Sequence, residues 1–232
     1  KVTFKIVADE NAMVVGLKSG TLDLVVHLPN TLLKEVENDF TVRQNTMNIV
    51  QALYLNNAVE PFDNEQVRQA MYYAVNVDEI IEFVCSGAGV ATGTSMYPNQ
   101  QQYFMPELAE NYQQDVEKAK ELLAQAGYPD GFSMTMTVPS NYPQHMDTAQ
   151  VLIEQLKAVG INAELVPVEW QTWVDDVYRG RNYESTVCGI AADDMTAREM
   201  LVRYMSDNRK NFIAFSDAEY DAVFTPNVPI VF

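Results

Sequence analysis

The residue types that most often perform chemistry are few in this sequence and lie far apart. There are two histidines, His27 and His145, and two cysteines, Cys85 and Cys188. Neither histidine lies near a cysteine or in an HExxH arrangement, so the spacing that holds a zinc ion is missing. Two cysteines define no disulfide framework, and we expect two buried thiols. The sequence predicts no metal and no cofactor, with both histidines at the surface.

Two further groups of residues could suggest catalysis, and each has a simpler explanation. The glycines at 87, 89 and 93 follow a predicted helix instead of a strand and lack the Gly-Lys-Ser/Thr ending of a phosphate loop. Asp193 and Asp194 are adjacent at a strand end, where neighbouring side chains usually point in different directions. No G-x-S-x-G motif or Cys/His pair is present. We therefore predict that the chain is not an enzyme.

Two tryptophans, Trp170 and Trp173, are the remaining candidates for a site. Three residues apart on a helix, they can share one face, and core packing is the usual outcome for such a pair. Trp170, however, closely follows a predicted strand, 161–168. Ligands of parallel sheets bind beyond the carboxyl ends of the strands, so Trp170 is also a candidate pocket residue.

The composition argues against some classes of binding partner but does not identify one. The chain of 232 residues carries 32 acidic and 15 basic residues, for a formal net charge of −17. Such a surface repels nucleic acid and anionic membranes, and its ordinary role is solubility. No apolar run approaches the roughly 18 residues that span a bilayer. No signal peptide is visible, so an exported protein would be represented here by a mature or trimmed form.

Predicted strands and helices alternate along almost the whole chain, which is typical of an α/β domain with a largely parallel sheet. We expect strands at 2–8, 22–26, 40–46, 49–56, 132–138, 161–168, 186–191 and 228–232. Helices are expected at 9–19, 64–75, 76–86, 115–126, 148–159, 170–178 and 196–205. Residues 86–114 show no clear period and are predicted to form a long, functional or surface-wrapping loop. The ligand-binding positions should then follow Val138, Val168 and Ala191.

Four stretches carry a family resemblance. They are PFDNEQVRQAMYYAVNVD at 61–78, DVEKAKELLAQAGYPDG at 115–131, LKAVGINAELVPVEW at 156–170 and the Ser-x-x-Glu-type motif at 216–224. In this order they resemble the family 5 solute-binding proteins, the peptide-, nickel- and oligosaccharide-binding components of bacterial ABC importers.

The resemblance implies a lobe of the periplasmic-binding-protein type II kind, with a mixed, mostly parallel sheet flanked by helices. It divides the chain into hinge-proximal parts of a first lobe (1–46), a second ligand-binding lobe (47–224) and a returning strand (225–232). The several hundred residues that normally precede Lys1, and the helices that normally precede the last strand, are missing. We therefore expect a truncated or spliced domain.

The family's pocket residues transfer to this chain by position. Asp193 stands where relatives place the carboxylate that meets a ligand amine, an interaction worth roughly 1.5–3 kcal/mol. Ile190 replaces the Trp that forms a wall in relatives, and Trp170 corresponds to another pocket-lining Trp. The complete predicted set is Met47, Asn48, Ser140, Asn141, Tyr142, Trp170, Gly189, Ile190, Ala191 and Asp193.

The implied function is capture of a solute, most readily an oligopeptide, between two lobes, followed by docking on an ABC permease in the membrane. The protein would then be extracytoplasmic, in the periplasm or lipid-anchored at the outer face of the cell membrane. Nickel fits poorly with two dispersed histidines. The alternatives are an isolated interaction module that forms a homodimer through the exposed inter-lobe face, and, with less support, a hydrolase.

Overall fold

A four-stranded sheet forms the centre of the protein. The computed structural model describes residues 1–191 and 196–227. The strands are β1 (Ile49–Leu55), β2 (Phe132–Pro139), β3 (Ile161–Val168) and β4 (Ser185–Ala191). Their order is β1-β4-β2-β3, with β2 parallel to β3 and β4, and β1 antiparallel to β4. The predicted mixed, mostly parallel sheet is confirmed.

The described part of the chain also contains eight α-helices and several short turns. The helices are α1 (Glu10–Lys18), α2 (Glu65–Ala74), α3 (Val77–Cys85), α4 (Val116–Gln125), α5 (Pro143–Lys157), α6 (Trp170–Thr172), α7 (Ala197–Leu201) and α8 (Ala218–Asn227). A π-helical segment (Trp173–Arg179) continues α6, and 3-10 turns lie at Asn30–Glu35, Pro106–Glu110 and Val202–Tyr204. Within the described residues, no helix has both the length and the apolar character that crossing a membrane requires.

Side-chain caps fix the starts of several helices. Asp9, Asn64, Asn76 and Asp115 each accept a hydrogen bond from a backbone N–H in the first turn of α1, α2, α3 and α4. These N–H groups have no partner inside the helix, so a polar side chain just before it satisfies them. The predicted starts of these four helices are therefore confirmed.

The core lies in two clusters, one on each face of the sheet. On one face, Met134, Met136 and Val138 of β2 pack against α2, α4 and α5. On the other face, Cys188 and Ile190 of β4 pack with a group that includes Trp173. Successive side chains of a strand point to opposite faces of the sheet. This explains why Val187 packs in the first cluster and the adjacent Cys188 in the second.

Several sequence predictions need correction. Residues 2–8, 22–26 and 40–46 form no strands, because nothing in the described chain pairs with them. The odd-numbered and even-numbered side chains at 1–6 are exposed alike, and Phe4 and Ile6 are 91% and 102% exposed. Helix α5 begins at Pro143, five residues before the predicted start, since proline is well suited to a first helical position. The predicted strand 228–232 lies outside the described residues.

Candidate functional site

The carboxyl ends of the parallel strands and the start of β1 meet at one edge of the sheet. In the strand pairing, Pro139 lies opposite Val168, and Ile49 lies opposite Ala191. The segments that continue from these residues therefore emerge side by side. The predicted site residues that the structure describes lie either in these segments or in the last three residues of β4: Met47, Asn48, Ser140, Asn141, Tyr142, Trp170, Gly189, Ile190 and Ala191. Asp193 lies outside the described residues.

The turn after β2 is tied to the end of β3 by polar contacts. The Ser140 N–H and hydroxyl both donate to the Val168 carbonyl, at 2.8 and 3.1 Å. The Asn141 amide oxygen accepts from the Trp170 N–H at 2.9 Å, and its amide nitrogen donates to a Glu169 carboxylate oxygen at 3.4 Å. Ser140 and Asn141 thus hold two loops in register, which places Tyr142 and Trp170 next to each other.

Tyr142 and Trp170 form an exposed aromatic wall. Each is 42% exposed, and their ring centroids lie 5.4 Å apart in an edge-to-face arrangement. Trp170 also stacks on Trp173, with centroids 5.2 Å apart and planes 8° apart. Trp173 is only 3% exposed, and its indole N–H donates to the Thr186 hydroxyl at 2.9 Å. The inner tryptophan belongs to the core, which is the usual outcome for such a pair, and it supports the outer tryptophan, which is exposed just after β3.

His145 lies directly behind this wall, and its placement corrects the prediction of a surface histidine. It is half-buried; its Nδ1 lies 2.6 Å from Gln51 Oε1, and its Nε2 accepts from the Gly189 N–H at 3.2 Å. Because a backbone N–H can only donate, Nε2 is the acceptor and the Nδ1 proton points to Gln51. Burial lowers the pKa of His145 to about 4, which keeps the ring neutral near pH 7.

Sequence reasoning missed His145 because the helix that carries it was expected to begin at residue 148. With the helix beginning at Pro143, His145 lies in its first turn, three residues after Tyr142, and their ring centroids are 5.2 Å apart. Gly189 accommodates the imidazole: a Cβ there would lie 3.3 Å from His145 Cε1 and 2.6 Å from Ile49 Cγ2. The glycine in β4 was therefore the available signal for a close approach at this point.

The other predicted residues of β4 and β1 differ in how far they reach the surface. Ile190 is 8% exposed and packs in the second core cluster, so its side chain contributes mainly to the interior. Ala191 is exposed, and Met47 is 53% exposed. The Asn48 amide oxygen accepts from Asn99 at 3.1 Å. Among the described residues of this edge, the exposed side chains include the apolar Met47 and the aromatic Tyr142 and Trp170, beside the polar Ser140 and Asn141.

Chemistry beyond binding finds little support in the described residues. Cys188 is buried, and burial raises the pKa of its thiol well above the usual range. Cys85 is half-buried rather than buried as predicted, and its sulfur accepts from Gln144 at 3.2 Å. Within the described ranges, no group of three or more His, Cys, Asp or Glu side chains could hold a metal ion. Two cavities of about 310 and 380 Å³ lie away from the aromatic wall.

The fold defines the class of protein first. The PBP AgaA of A. tumefaciens R10, solved in complex with agropinic acid, aligns with a TM-score of 0.81 and 28% identity, over 94% of this chain and 45% of that one. A dipeptide-binding protein of Pseudoalteromonas, in complex with Met-Leu, aligns with a TM-score of 0.81 at 24% identity, over 95% of this chain and 45% of that one. The chain has the fold of a lobe of a type II periplasmic binding protein.

The family follows from the sequence comparison. The profile of the bacterial extracellular solute-binding proteins, family 5 Middle, matches residues 1–212, and the chain belongs to this family. Heme-binding protein A of Haemophilus influenzae is 29% identical over 96% of this chain and 42% of its own length. The glutathione-binding protein GsiB of Escherichia coli is 30% identical over 72% of this chain and 33% of its own length. The chain thus spans less than half the length of these relatives.

Proposed function

We propose that this chain is one ligand-binding lobe of an extracytoplasmic solute-binding protein that serves an ABC importer. The observation that carries the proposal is the sheet edge, where loops from β2, β3, β4 and the start of β1 bring an exposed aromatic wall to one place in a member of family 5. Its role is to bind a solute and not to transform it. The family's members are binding proteins, which supports this reading.

The lobe division proposed for the chain is 1–46 as hinge-proximal parts of a first lobe, 47–224 as the second lobe and 225–232 as a returning strand. Two observations support it. The chain covers 42% of Heme-binding protein A and 45% of AgaA. Its first residues also expose alternating apolar side chains (Val2, Phe4 and Ile6) that a neighbouring sheet would bury.

The mechanism is capture by closure. A solute would first contact the aromatic wall, and hinge motion would then bring the opposite lobe over it. Burial between two walls supplies contacts that one lobe cannot make alone. The closed form would then dock on the membrane permease at the outer face of the membrane.

The solute class follows from the wall and from the relatives. Tyr142 and Trp170 present ring surface and few free polar groups, because Asn141 and Ser140 are already engaged in the turn. Such a wall favours the apolar or flat part of a solute. The relatives bind heme, glutathione, agropinic acid and a dipeptide. We propose an oligopeptide, whose amine would meet the carboxylate of Asp193.

The experiment is calorimetric titration of the full-length protein with reduced glutathione, tri-alanine, hemin and a mixed tripeptide library. We expect binding of at least one peptide probe, weakened about tenfold or more by Trp170→Ala, since a buried aromatic contact is lost. Tyr112→Ala is the matched control, because Tyr112 is an exposed aromatic residue on another surface. If Trp170→Ala and Tyr112→Ala bind the probe with equal affinity, the aromatic wall is not part of the binding site.

The 232-residue chain tested alone should bind the same probes only weakly, because half of the contacts would be missing. Micromolar or tighter affinity for the chain alone would contradict the two-lobe mechanism.

Self-association is the second candidate function. Met47, Ile49 and Trp170 are 53%, 42% and 42% exposed along one edge, and apolar surface of this kind can also pair with a second copy. Light scattering of the 232-residue chain separates the two proposals: a homodimer that Trp170→Asp dissociates would favour the interaction module.

A further inference from the structure

We propose that His145 is the positioning residue of the aromatic wall: its neutral imidazole replaces a missing strand contact behind the wall and fixes the place of Tyr142 against Trp170. This inference rests on the proposed binding role of the wall, although its test needs no solute. The missing strand contact lies at a gap in the sheet.

The gap lies between β4 and β2. These strands pair only at the start of β4 in the described sheet, where Met136 lies opposite Ser185 and Thr137 opposite Thr186. Three residues further along β4, the Gly189 N–H has no β2 carbonyl to reach and donates to His145 Nε2 instead. An unsatisfied backbone donor at a half-buried place is costly, so the imidazole stabilises this end of β4.

The second ring nitrogen connects the gap to the other side of β4. The Nδ1 proton points to Gln51 Oε1 on β1, and Gln51 Nε2 donates to the Thr148 hydroxyl at 2.5 Å. The chain of contacts therefore begins and ends on α5, passing through β1. Both nitrogens are engaged, and neither is free to act as an acid, a base or a metal ligand. Geometry thus assigns His145 a role in position rather than in contact with a solute.

The wall is connected to this network through one helical turn. Tyr142 caps α5, and the backbone N–H of His145 donates to the Tyr142 carbonyl at 3.0 Å. The two rings lie 5.2 Å apart, and Tyr142 in turn meets the edge of Trp170. A loss of the His145 contacts would release the first turn of α5 and with it the tyrosine half of the wall.

The test uses two substitutions of different chemistry. His145→Phe keeps a ring of similar size but removes both hydrogen bonds. His145→Gln offers its amide oxygen near the position of Nε2 and can accept from Gly189 again. Two measurements follow: hydrogen exchange of the Gly189 amide, and quenching of tryptophan fluorescence by acrylamide. The chain has two tryptophans, and Trp173 is buried, so accessible fluorescence reports on Trp170.

We expect His145→Phe to reduce protection of the Gly189 amide by about tenfold or more and to increase quenching of Trp170. His145→Gln should recover most of both. If Gly189 loses protection while Trp170 quenching stays at the wild-type value, His145 supports the strand alone and the proposal is overturned. Should His145→Phe fail to fold, Gln51→Met removes the Nδ1 partner together with its contact to Thr148 and leaves the Nε2 contact with Gly189 in place. Unchanged values for both readouts would overturn the proposal equally. Failure of solute binding leaves these readouts unaffected, so the two proposals fail separately.

Discussion

The first 46 residues and the rest of the chain differ in how their apolar side chains are covered. Both regions contain runs that were predicted to form strands: residues 2–8 alternate apolar and polar side chains, and residues 49–55 are mostly apolar. Residues 49–55 form β1 because β4 supplies partners for their backbone groups, whereas residues 2–8 have no neighbouring strand in the described chain, form no regular structure and are mostly exposed. A strand-like run of residues is therefore suited to a sheet, but it forms a strand only where a partner strand is available.

The same contrast holds for the helices. Helix α1, in the first region, buries Val14 and has a side-chain cap, and it packs mainly on the 3-10 turn Asn30–Glu35. Helix α4, in the second region, buries Leu122 and Leu123 and packs closely on α2. Local signals are similar, and the difference lies in the tertiary contacts that follow. Matched substitutions in the two regions measure this difference.

Replacing a phenylalanine in each region gives the largest expected difference in the free energy of unfolding. Phe62 is fully buried and packs edge-to-face with Phe132, whereas Phe4 is 91% exposed. We expect Phe62→Ala to lower the free energy of unfolding by about 3–5 kcal/mol, because a cavity is left behind. Phe4→Ala should change it by less than about 0.5 kcal/mol. Urea unfolding of the 232-residue chain, followed by circular dichroism, measures both. A loss above about 1.5 kcal/mol for Phe4→Ala would show that the first region is packed in solution.

The next comparison is between His145 and His27, and it concerns how the free energy of unfolding depends on pH. Burial lowers the pKa of His145 to about 4, and its neighbours Tyr142, Gln51 and Gly189 carry no charge. Between about pH 6.5 and 4 the unfolded chain binds a proton here that the folded chain does not, so stability falls as pH falls through this window. The slope from this group is at most about 1.4 kcal/mol per pH unit.

His145→Phe should therefore flatten the dependence of stability on pH between about 6.5 and 5, above the range where most carboxylates titrate. Urea midpoints at several pH values provide the measurement. His27→Phe is the matched control, because it removes an exposed imidazole in the first region. An unchanged slope in His145→Phe would mean that this ring is solvated in the folded chain.

Patterns in the sequence were sufficient to predict a largely parallel sheet, the capped helices and the edge at which the candidate residues meet, whereas the mixed character of the sheet was implied by the family resemblance. Each of these depends on local features, such as Asn64 before an amphipathic run or Gly160 before a strand, together with the rule that parallel strands end at one edge. The interior role of Ile190 and the network around His145 could not be predicted. The network around His145 depends on where β4 separates from β2, and the burial of Ile190 depends on the second core cluster that packs on its face of the sheet. Both are properties of tertiary packing between distant segments.

The N-caps of α4 and α1 give the smallest expected difference in stability between the two regions. The Asp115 carboxylate accepts from the Lys118 N–H at 2.9 Å at the start of α4, and the Asp9 carboxylate accepts from the Ala12 N–H at 2.7 Å at the start of α1. The two caps are chemically alike. Asp115→Ala should cost about 1 kcal/mol of the free energy of unfolding, because α4 unfolds only with the core.

Asp9→Ala should leave the global unfolding curve unchanged and act only locally, since α1 can fray without opening the sheet. The measurable sign would be faster hydrogen exchange at Ala12 and its neighbours. Asn at either position retains an acceptor oxygen and should restore the wild-type value, which separates capping from the loss of charge. If Asp9→Ala instead lowered the urea midpoint as much as Asp115→Ala, α1 would unfold together with the sheet. The two regions would then form one cooperative unit despite their unequal packing.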